Sequence, residues 1–342
     1  MDILIIGGTR NLGHFLALAL LKAGHRVTIF NRGRTRDQLP ESVERLRGDR
    51  TQPDQIAAAL GRRTFDAVVD TTLYKEEDTE SIIRLLRDRT GHYVFLSSGQ
   101  VYLVVEGARR PFTEDSYPGL LMPAPVENTF SYEEWQYGMD KRRCEDALRA
   151  AWEQKKFPYT TLRLPMVNSE RDHFFRLYNY ILRLDDSGGI IAPSTPNYPL
   201  RHVYAGDVVQ SIMRVIERGE GEGKAYNISQ DETLTLEDFI GLLASIMGVE
   251  TQIIRAPRAR LQADGLLPDC SPFSERWMSE LDNARSKTEL GMVYTPVETY
   301  LSAIVDHYRA SPPPTPSSYR RRKVELSIAA EVNLEATGSY KK

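Results

Sequence analysis

The sequence predicts an α/β protein built on a doubly wound parallel sheet, with a smaller C-terminal α/β lobe. Three observations carry this. An apolar run at 3–6 stops at a glycine turn, Gly7-Gly8-Thr9-Arg10-Asn11-Leu12-Gly13, and leads into a helical pattern and a second strand-like run. Strand-like and helix-like segments then alternate through the first half, which implies parallel pairing with right-handed crossovers. The 342 residues exceed one minimal domain and leave room for a second lobe.

The elements follow in order. Phe15, Leu16, Leu18, Leu20 and Leu21 mark a helix that ends at Gly24, and Val27-Thr28-Ile29-Phe30 is a strand ending at Asn31-Arg32. A loop runs to Gly48-Asp49, and residues 53–60 read as a helix. Residues 65–71 form a buried strand, and 76–87 a helix with Ile82, Ile83, Leu85 and Leu86 on its apolar side. The strand at 93–96 ends in Ser97-Ser98-Gly99. Residues 103–131 break the rhythm with Pro111, Pro118, Pro123 and Pro125 and read as a long loop. Phe112, Tyr117, Leu120, Leu121 and Met122 are its apolar residues, and the segment reads either as a lid over a cleft or as a fixed surface loop or dimer contact. Next come a helix at 132–155, a strand at 159–164, a helix at 207–218, a short strand at 225–228 and a helix at 235–247 closed by Gly248. Residues 1–165 are expected to form the dinucleotide domain, with 202–229 returning to it. Residues 166–201 and 230–311 would form the substrate lobe. Residues 312–342 read as a stiff proline linker and a solvated basic tail opening with Arg320-Arg321-Arg322-Lys323.

Composition narrows the class. Hydrophobic residues make up 41% and charged residues 27%, ordinary for a globular protein. A net charge of −3 gives no global field for nucleic acid or membrane, so neither is expected as a partner. The two cysteines, Cys144 and Cys270, are no disulfide framework, and Cys144 falls in a helical pattern as a small buried hydrophobe. Asp2 and the early glycine turn do not fit a signal peptide, and no stretch approaches ~20 apolar residues. A reduced cytoplasmic enzyme is expected, and no metal site.

The glycine turn carries the first chemistry. Such turns let a pyrophosphate approach backbone N–H groups at a helix N-terminus, where the helix dipole favours an anion. Gly7 and Gly13 fit the outer glycines of the usual three, and Arg10 replaces the middle one. NAD-selective sites often end the second strand in an acid for the ribose 2′-hydroxyl. Here the chain has Asn31-Arg32-Gly33-Arg34. Arg32, with Arg10 as a second candidate, suits a 2′-phosphate, which favours NADP over NAD. The other reading makes these solvated loop charges.

The second chemistry lies downstream. Tyr137 and Lys141 are one helical turn apart. An ammonium near a phenol lowers its pKa and equips it to move a proton at a hydroxyl or carbonyl oxygen. Ser98, at a strand end, can hydrogen-bond the same oxygen. The set implies hydride transfer with proton transfer at the attached oxygen. A lone Tyr-Lys pair at this spacing is commonplace; the glycine turn, the Ser-Ser strand end and Tyr-x-x-x-Lys together are far rarer.

That joint pattern resembles the short-chain dehydrogenase/reductase superfamily, in its extended epimerase/dehydratase-like branch, and an atypical subgroup with a Gly-Gly-x-x-x-x-Gly turn. The resemblance implies a Rossmann-type fold and covers most of the chain: Ser98-Gly99-Gln100-Val101-Tyr102, Tyr137-Gly138-Met139-Asp140-Lys141 with Glu145, Leu162-Arg163-Leu164-Pro165, residues 201–208, Tyr226-Asn227-Ile228, and Leu290-Gly291 with Pro296. It makes Ser98, Tyr137 and Lys141 the catalytic triad. It assigns the cofactor to Gly7, Gly8, Thr9, Arg10, Asn11, Leu12, Gly13, Asn31, Arg32, Asp49 at the adenine, Thr71 at the nicotinamide side, Tyr137 and Lys141. Ser98, Tyr102, Met166 and Arg201 fall on the substrate side. Sugar-nucleotide 4,6-dehydratases of this family place an Asp-Glu pair where this chain has Gly99-Gln100, so dehydration is disfavoured. Met166 stands where many nucleotide-sugar members have Asn, while Arg201 stands where relatives hold a substrate phosphate; an ion pair between lobes explains Arg201 equally well. The expectation is an NAD(P)-dependent epimerase or reductase acting on a sugar-like or other polyhydroxylated small molecule, as a homodimer. Its rivals are an RNA-binding protein or a non-catalytic cofactor binder of the same fold.

Overall fold

Alternate residues of the first strand-like run face opposite sides, as the pleat of a strand buried on both faces requires. The architecture follows from this. In the computed structural model, which describes residues 1–219 and 221–336, the chain runs β1 (Asp2–Ile6), α1 (Asn11–Lys22), β2 (Arg26–Asn31), β3 (Glu44–Arg47), α2 (Pro53–Leu60), β4 (Ala67–Asp70), α3 (Glu76–Leu86), β5 (Tyr93–Ser98), α4 (Gln100–Leu103), α5 (Phe130–Lys155), β6 (Tyr159–Leu164), β7 (Val167–Asn168), α6 (Arg176–Asp185), β8 (Ile190–Pro193), β9 (Val203–Tyr204), α7 (Ala205–Arg218), β10 (Lys224–Asn227), α8 (Leu236–Met247), β11 (Ile253–Ala256), α9 (Arg258–Ala263), α10 (Ala284–Glu289), α11 (Val297–Ala310) and α12 (Arg322–Ala336).

Among the described residues, seven strands form one parallel sheet in the order β10-β6-β5-β4-β1-β2-β3. On one face Ile3, Ile5, Val27 and Ile29 pack with Leu16 and Leu20 of α1 and Val208 and Ile212 of α7. On the other, Leu4, Ile6 and Phe30 pack with Ile56 of α2, Ile82 and Leu86 of α3, and Cys144 and Leu148 of α5. Each fully buried aliphatic side chain contributes roughly 1.5–3 kcal/mol of transfer free energy. The strand order reverses between β1 and β4, and such switch points are where ligands bind in sheets of this kind.

The chain divides into two units. The first holds 1–167, 202–229 and 279–294. The sequence predicts residues 279–294 within the C-terminal lobe. Instead Leu290, Met292 and Tyr294 join the α1/α7 face of the first core, and Glu289 accepts from Lys224 Nζ and the Tyr226 hydroxyl at 2.8 Å.

The second unit holds 168–201, 230–278 and 295–342. Its parallel pair β11–β8 packs with Leu261, Leu266, Cys270 and Ile328. The expected solvated tail is corrected here. The buried Arg183 donates to Glu325 at 2.6 Å, and Arg322 donates to Asp186 at 2.7 Å and to Glu325 at 3.0 Å. So α12 is a docked helix, although Arg320, Arg321 and Lys323 do face solvent. Residues 337–342 lie outside the described residues.

Two further departures concern the first unit. β3 falls where the sequence predicts a loop: Glu44-Arg45-Leu46-Arg47 is too charged to announce an edge strand, and only pairing with β2 defines it. The long loop at 103–131 is partly pinned. Phe112 stacks on Tyr102 with ring centroids 5.3 Å apart, and its N–H donates to the Glu280 carbonyl at 2.7 Å. The Tyr117 hydroxyl donates to Asp146 at 2.8 Å. Both rings belong to the core, and the apolar residues left to cover a cleft are those of the later stretch, with Leu120 73% and Val126 77% exposed.

Candidate active site

The glycine turn joins β1 to α1 in a conformation that side chains would block. Gly7 and Gly8 have φ of +110° and +91°. A Cβ on Gly7 would lie 2.2 Å from Thr71 Oγ1, and one on Gly13 would lie 2.6 Å from Gly8 Cα. Arg10, at the N-cap of α1, makes no side-chain cap hydrogen bond. This tight cradle at a helix N-terminus fits a pyrophosphate, so Gly7 to Gly13 are the residues that would hold one. Thr71 Oγ1 donates to the Ile6 carbonyl at 3.0 Å, and Asn31 Nδ2 donates to the Gly7 carbonyl at 3.3 Å. Thr71 and Asn31 are thereby tied to the turn itself. Asp49 accepts from the N–H and hydroxyl of Thr51 at 3.1 and 2.9 Å, and these bonds hold its carboxyl below the usual range. Arg32 and Arg34 are exposed and near enough to add to that effect. Next to Asp49, Arg50 reaches inward and donates to both oxygens of the buried Asp70 at 2.8 Å.

The catalytic candidates lie on β5 and α5. Gly138 lets α5 approach α4, the helix that follows β5: a Cβ there would sit 2.8 Å from the Gln100 carbonyl oxygen. Lys141 is buried, and its Nζ donates to the carbonyls of Leu73 and Leu96 at 2.8 Å. Its Nζ lies 5.7 Å from the centre of the half-buried Tyr137 ring. Burial pulls the Lys141 pKa down to about 8. Ser98 donates to Gln100 Oε1 at 3.1 Å and accepts the Gln100 backbone N–H at 3.2 Å. Gln100 Nε2 in turn donates to Glu134, three residues before Tyr137 on α5. The spacing of Glu134 from Tyr137 was visible in the sequence; its bond to Gln100 was not.

A buried network underlies this end. Arg163 donates to Glu145 at 2.6 Å and to the Tyr102 hydroxyl at 2.7 Å. The Tyr102 hydroxyl donates to Asn227 at 2.8 Å, and the Asn227 N–H donates to Glu114 at 2.8 Å. Ser97 donates to Glu145 at 2.5 Å, which ties α5 to the strand that carries Ser98. Tyr102, expected on the substrate side, is corrected by this: its side chain is fully buried and its hydroxyl is held between Arg163 and Asn227. Met166 is half-buried, with its carbonyl accepting from Val203 at 3.0 Å. Arg201 belongs to the second unit, where its Nη2 donates to the Asp231 carbonyl at 2.8 Å. Cys144 and Cys270 are both buried thiols. No helix among the described residues is long and apolar enough to cross a membrane.

A doubly wound parallel sheet, a glycine cradle beside its switch point and a Tyr-x-x-x-Lys helix along β5 define an extended short-chain dehydrogenase/reductase. Residues 3–229 match the model of the NAD dependent epimerase/dehydratase family, and the chain belongs to that family. It is similar to the chloroplast stem-loop binding protein of 41 kDa b from Arabidopsis thaliana, 37% identical over 114 residues, 30% of each chain. It is also similar to 2′-dehydrokanamycin reductase from Streptomyces kanamyceticus, 31% identical over 152 residues. That match covers 44% of this chain and 39% of the reductase, so both matches span well under half of these relatives. Among solved structures, the UDP-glucose 4-epimerase of Thermotoga maritima superposes with a TM-score of 0.70 at 17% identity, covering 91% of this chain and 99% of that one.

Proposed function

We propose that this protein moves a hydride between a nicotinamide cofactor and the hydroxyl- or carbonyl-bearing carbon of a sugar-like or other polyhydroxylated substrate, as an epimerase or reductase. The observation that carries this is the Lys141 ammonium beside the Tyr137 ring, fixed to the Leu96 carbonyl of β5 and to the Leu73 carbonyl. The nicotinamide supplies the hydride acceptor or donor when bound. Tyr137 exchanges a proton with the substrate oxygen through its phenol oxygen, and Lys141 favours the phenolate. Ser98 hydrogen-bonds the same oxygen and places it. Gly99 has no side chain, and Gln100 is engaged by Ser98 and Glu134, which supports a reaction without dehydration. The exposed Arg32, with Arg10 on the glycine turn bonded to Thr35 of the turn that carries Arg32, favours NADP over NAD. The names of the reductase and the epimerase supply the substrate class: a ketone on an aminoglycoside sugar, or a nucleotide-linked hexose.

The test is NADPH and NADH turnover against a panel of UDP-sugars, keto-sugars and oxidised aminoglycosides. Tyr137→Phe keeps the ring and removes the phenol, so turnover falls by a factor on the order of 10² or more while NADH binding holds. A Tyr137→Phe variant with full turnover overturns the mechanism. Cofactor that stays bound through purification marks an epimerase; exchangeable NADPH marks a reductase. The plant relative's name supports one alternative, an RNA-binding protein. Stem-loop RNA binding at physiological salt without turnover on any panel member would favour it.

A further inference from the structure

Asn31 and Arg47 form a pair that sequence spacing hides. They lie directly opposite each other in the β2–β3 register. Asn31 sits at the strand end where an NAD-selective site places its acid. Its Oδ1 already accepts from the Gly33 N–H at 2.8 Å and from Arg47 Nη1, and its Nδ2 donates to the Gly7 carbonyl. Asn31 is thus committed within the protein and serves to aim Arg47. The Arg47 stem lies across Gly33, where a Cβ would sit 3.1 Å from its Cδ.

The far side of the Arg47 guanidinium is differently placed. Its Nη2 is 3.9 Å from Asp37 Oδ2, beyond hydrogen-bond reach. Asp37 is already satisfied by Arg45 at 2.6 and 3.0 Å and by the Leu39 N–H at 3.2 Å. The Arg47 side chain is 44% exposed. Arg32 and Arg34 are exposed on the adjoining turn, and Arg10 donates to Thr35 of that turn at 3.0 Å. Four guanidinium groups therefore gather beside the glycine cradle, and Asn31 fixes the direction of one. A guanidinium fork matches a phosphate monoester better than a ribose hydroxyl.

We propose that Arg47, anchored by Asn31, is a determinant of cofactor specificity that binds the 2′-phosphate of the adenine ribose together with Arg32. This rests on the NADP reading above and assigns it a second ligand on a different strand. The test is fluorescence titration of the purified protein with NADPH and with NADH, and competition by adenosine 2′-monophosphate against adenosine 5′-monophosphate. Arg47→Ala should weaken NADPH and adenosine 2′-monophosphate by about tenfold and NADH by less than about twofold. Asn31→Ala should give a smaller loss of the same selectivity. Arg62→Ala, which removes an exposed charge in another loop, controls for net charge and should change neither ratio. Equal loss for both cofactors in Arg47→Ala, or no loss for NADPH, overturns the proposal. A wild type that prefers NADPH, with the same NADPH/NADH ratio in Arg47→Ala, leaves Arg32 standing and removes Arg47. A wild type without preference whose Arg47→Ala loses NADPH alone keeps Arg47 as a ligand and removes the NADP preference. A protein that binds NADH but not NADPH removes both.

Discussion

The two ends of the first unit's strand edge are built differently. At the catalytic end, Arg163, Glu145, Tyr102, Asn227 and Glu114 are buried and bonded to one another, and Lys141 is fixed by two carbonyls. At the proposed adenine end, Arg10, Arg32 and Arg34 are exposed, on two neighbouring turns that carry glycines at positive φ. Chemistry tolerates little misplacement, and the proposed catalytic groups Ser98, Tyr137 and Lys141 stand beside this buried lattice. Holding an adenine nucleotide needs charge and adaptability more than rigidity, and side chains in solvent provide both.

If the catalytic end is a lattice, breaking one member should be felt in stability. Arg163→Met leaves Glu145 buried without its partner, and loss of about 3–5 kcal/mol is expected in urea unfolding. A loss below about 1 kcal/mol, the size of an exposed pair, would erase the contrast. A subtler probe is Lys141→Met. Burial lowers the folded Lys141 pKa to about 8 from its ordinary 10.5. Between those values the unfolded chain binds more protons than the folded one, so the wild type gains stability as pH rises through that window. The stability of wild type relative to Lys141→Met should therefore climb from about pH 8 and level off past pH 10.5. A difference that stays flat with pH would show that Lys141 is not held in a desolvated site. At the other end the expected effects are smaller and concern ligand alone. Arg32→Asp should weaken NADPH binding by about tenfold, spare NADH, and leave the unfolding free energy within about 0.5 kcal/mol of wild type. Equal weakening of both cofactors would show that Arg32 shapes the turn and does not contact a phosphate.

The same contrast explains what the sequence discloses. The glycine turn and Tyr137–Lys141 are local: their meaning lies in spacing along one strand–turn–helix or one helix face, so they read directly. Glu114, Arg163 and Asn227 come from distant segments and meet only through the sheet. Tyr102 looked like a substrate residue because it follows the Ser98 segment, yet the helix α4 turns it inward. β3 and its Arg47 escaped because an edge strand of alternating charges has no apolar period of its own. The docked α12 was hidden for the opposite reason: its basic run suggests solvent, while Arg322 and Glu325 are buried by partners more than a hundred residues away in sequence, or by each other.

The late position of β10 has a consequence for synthesis. This strand, at 224–227, hydrogen-bonds to β6 at 160–163 and closes one edge of the sheet. A nascent chain that has just made Lys141 and β6 still exposes that edge, with Leu162 and Leu164 unshielded by Val208 and Ile212 of α7. Tyr137 and Lys141 are therefore synthesised well before the sheet beside them is finished. An unpaired parallel edge of this kind is slow to close and prone to wrong pairing. Synthesis of residues 165–227 is the interval in which the β6 edge stays open.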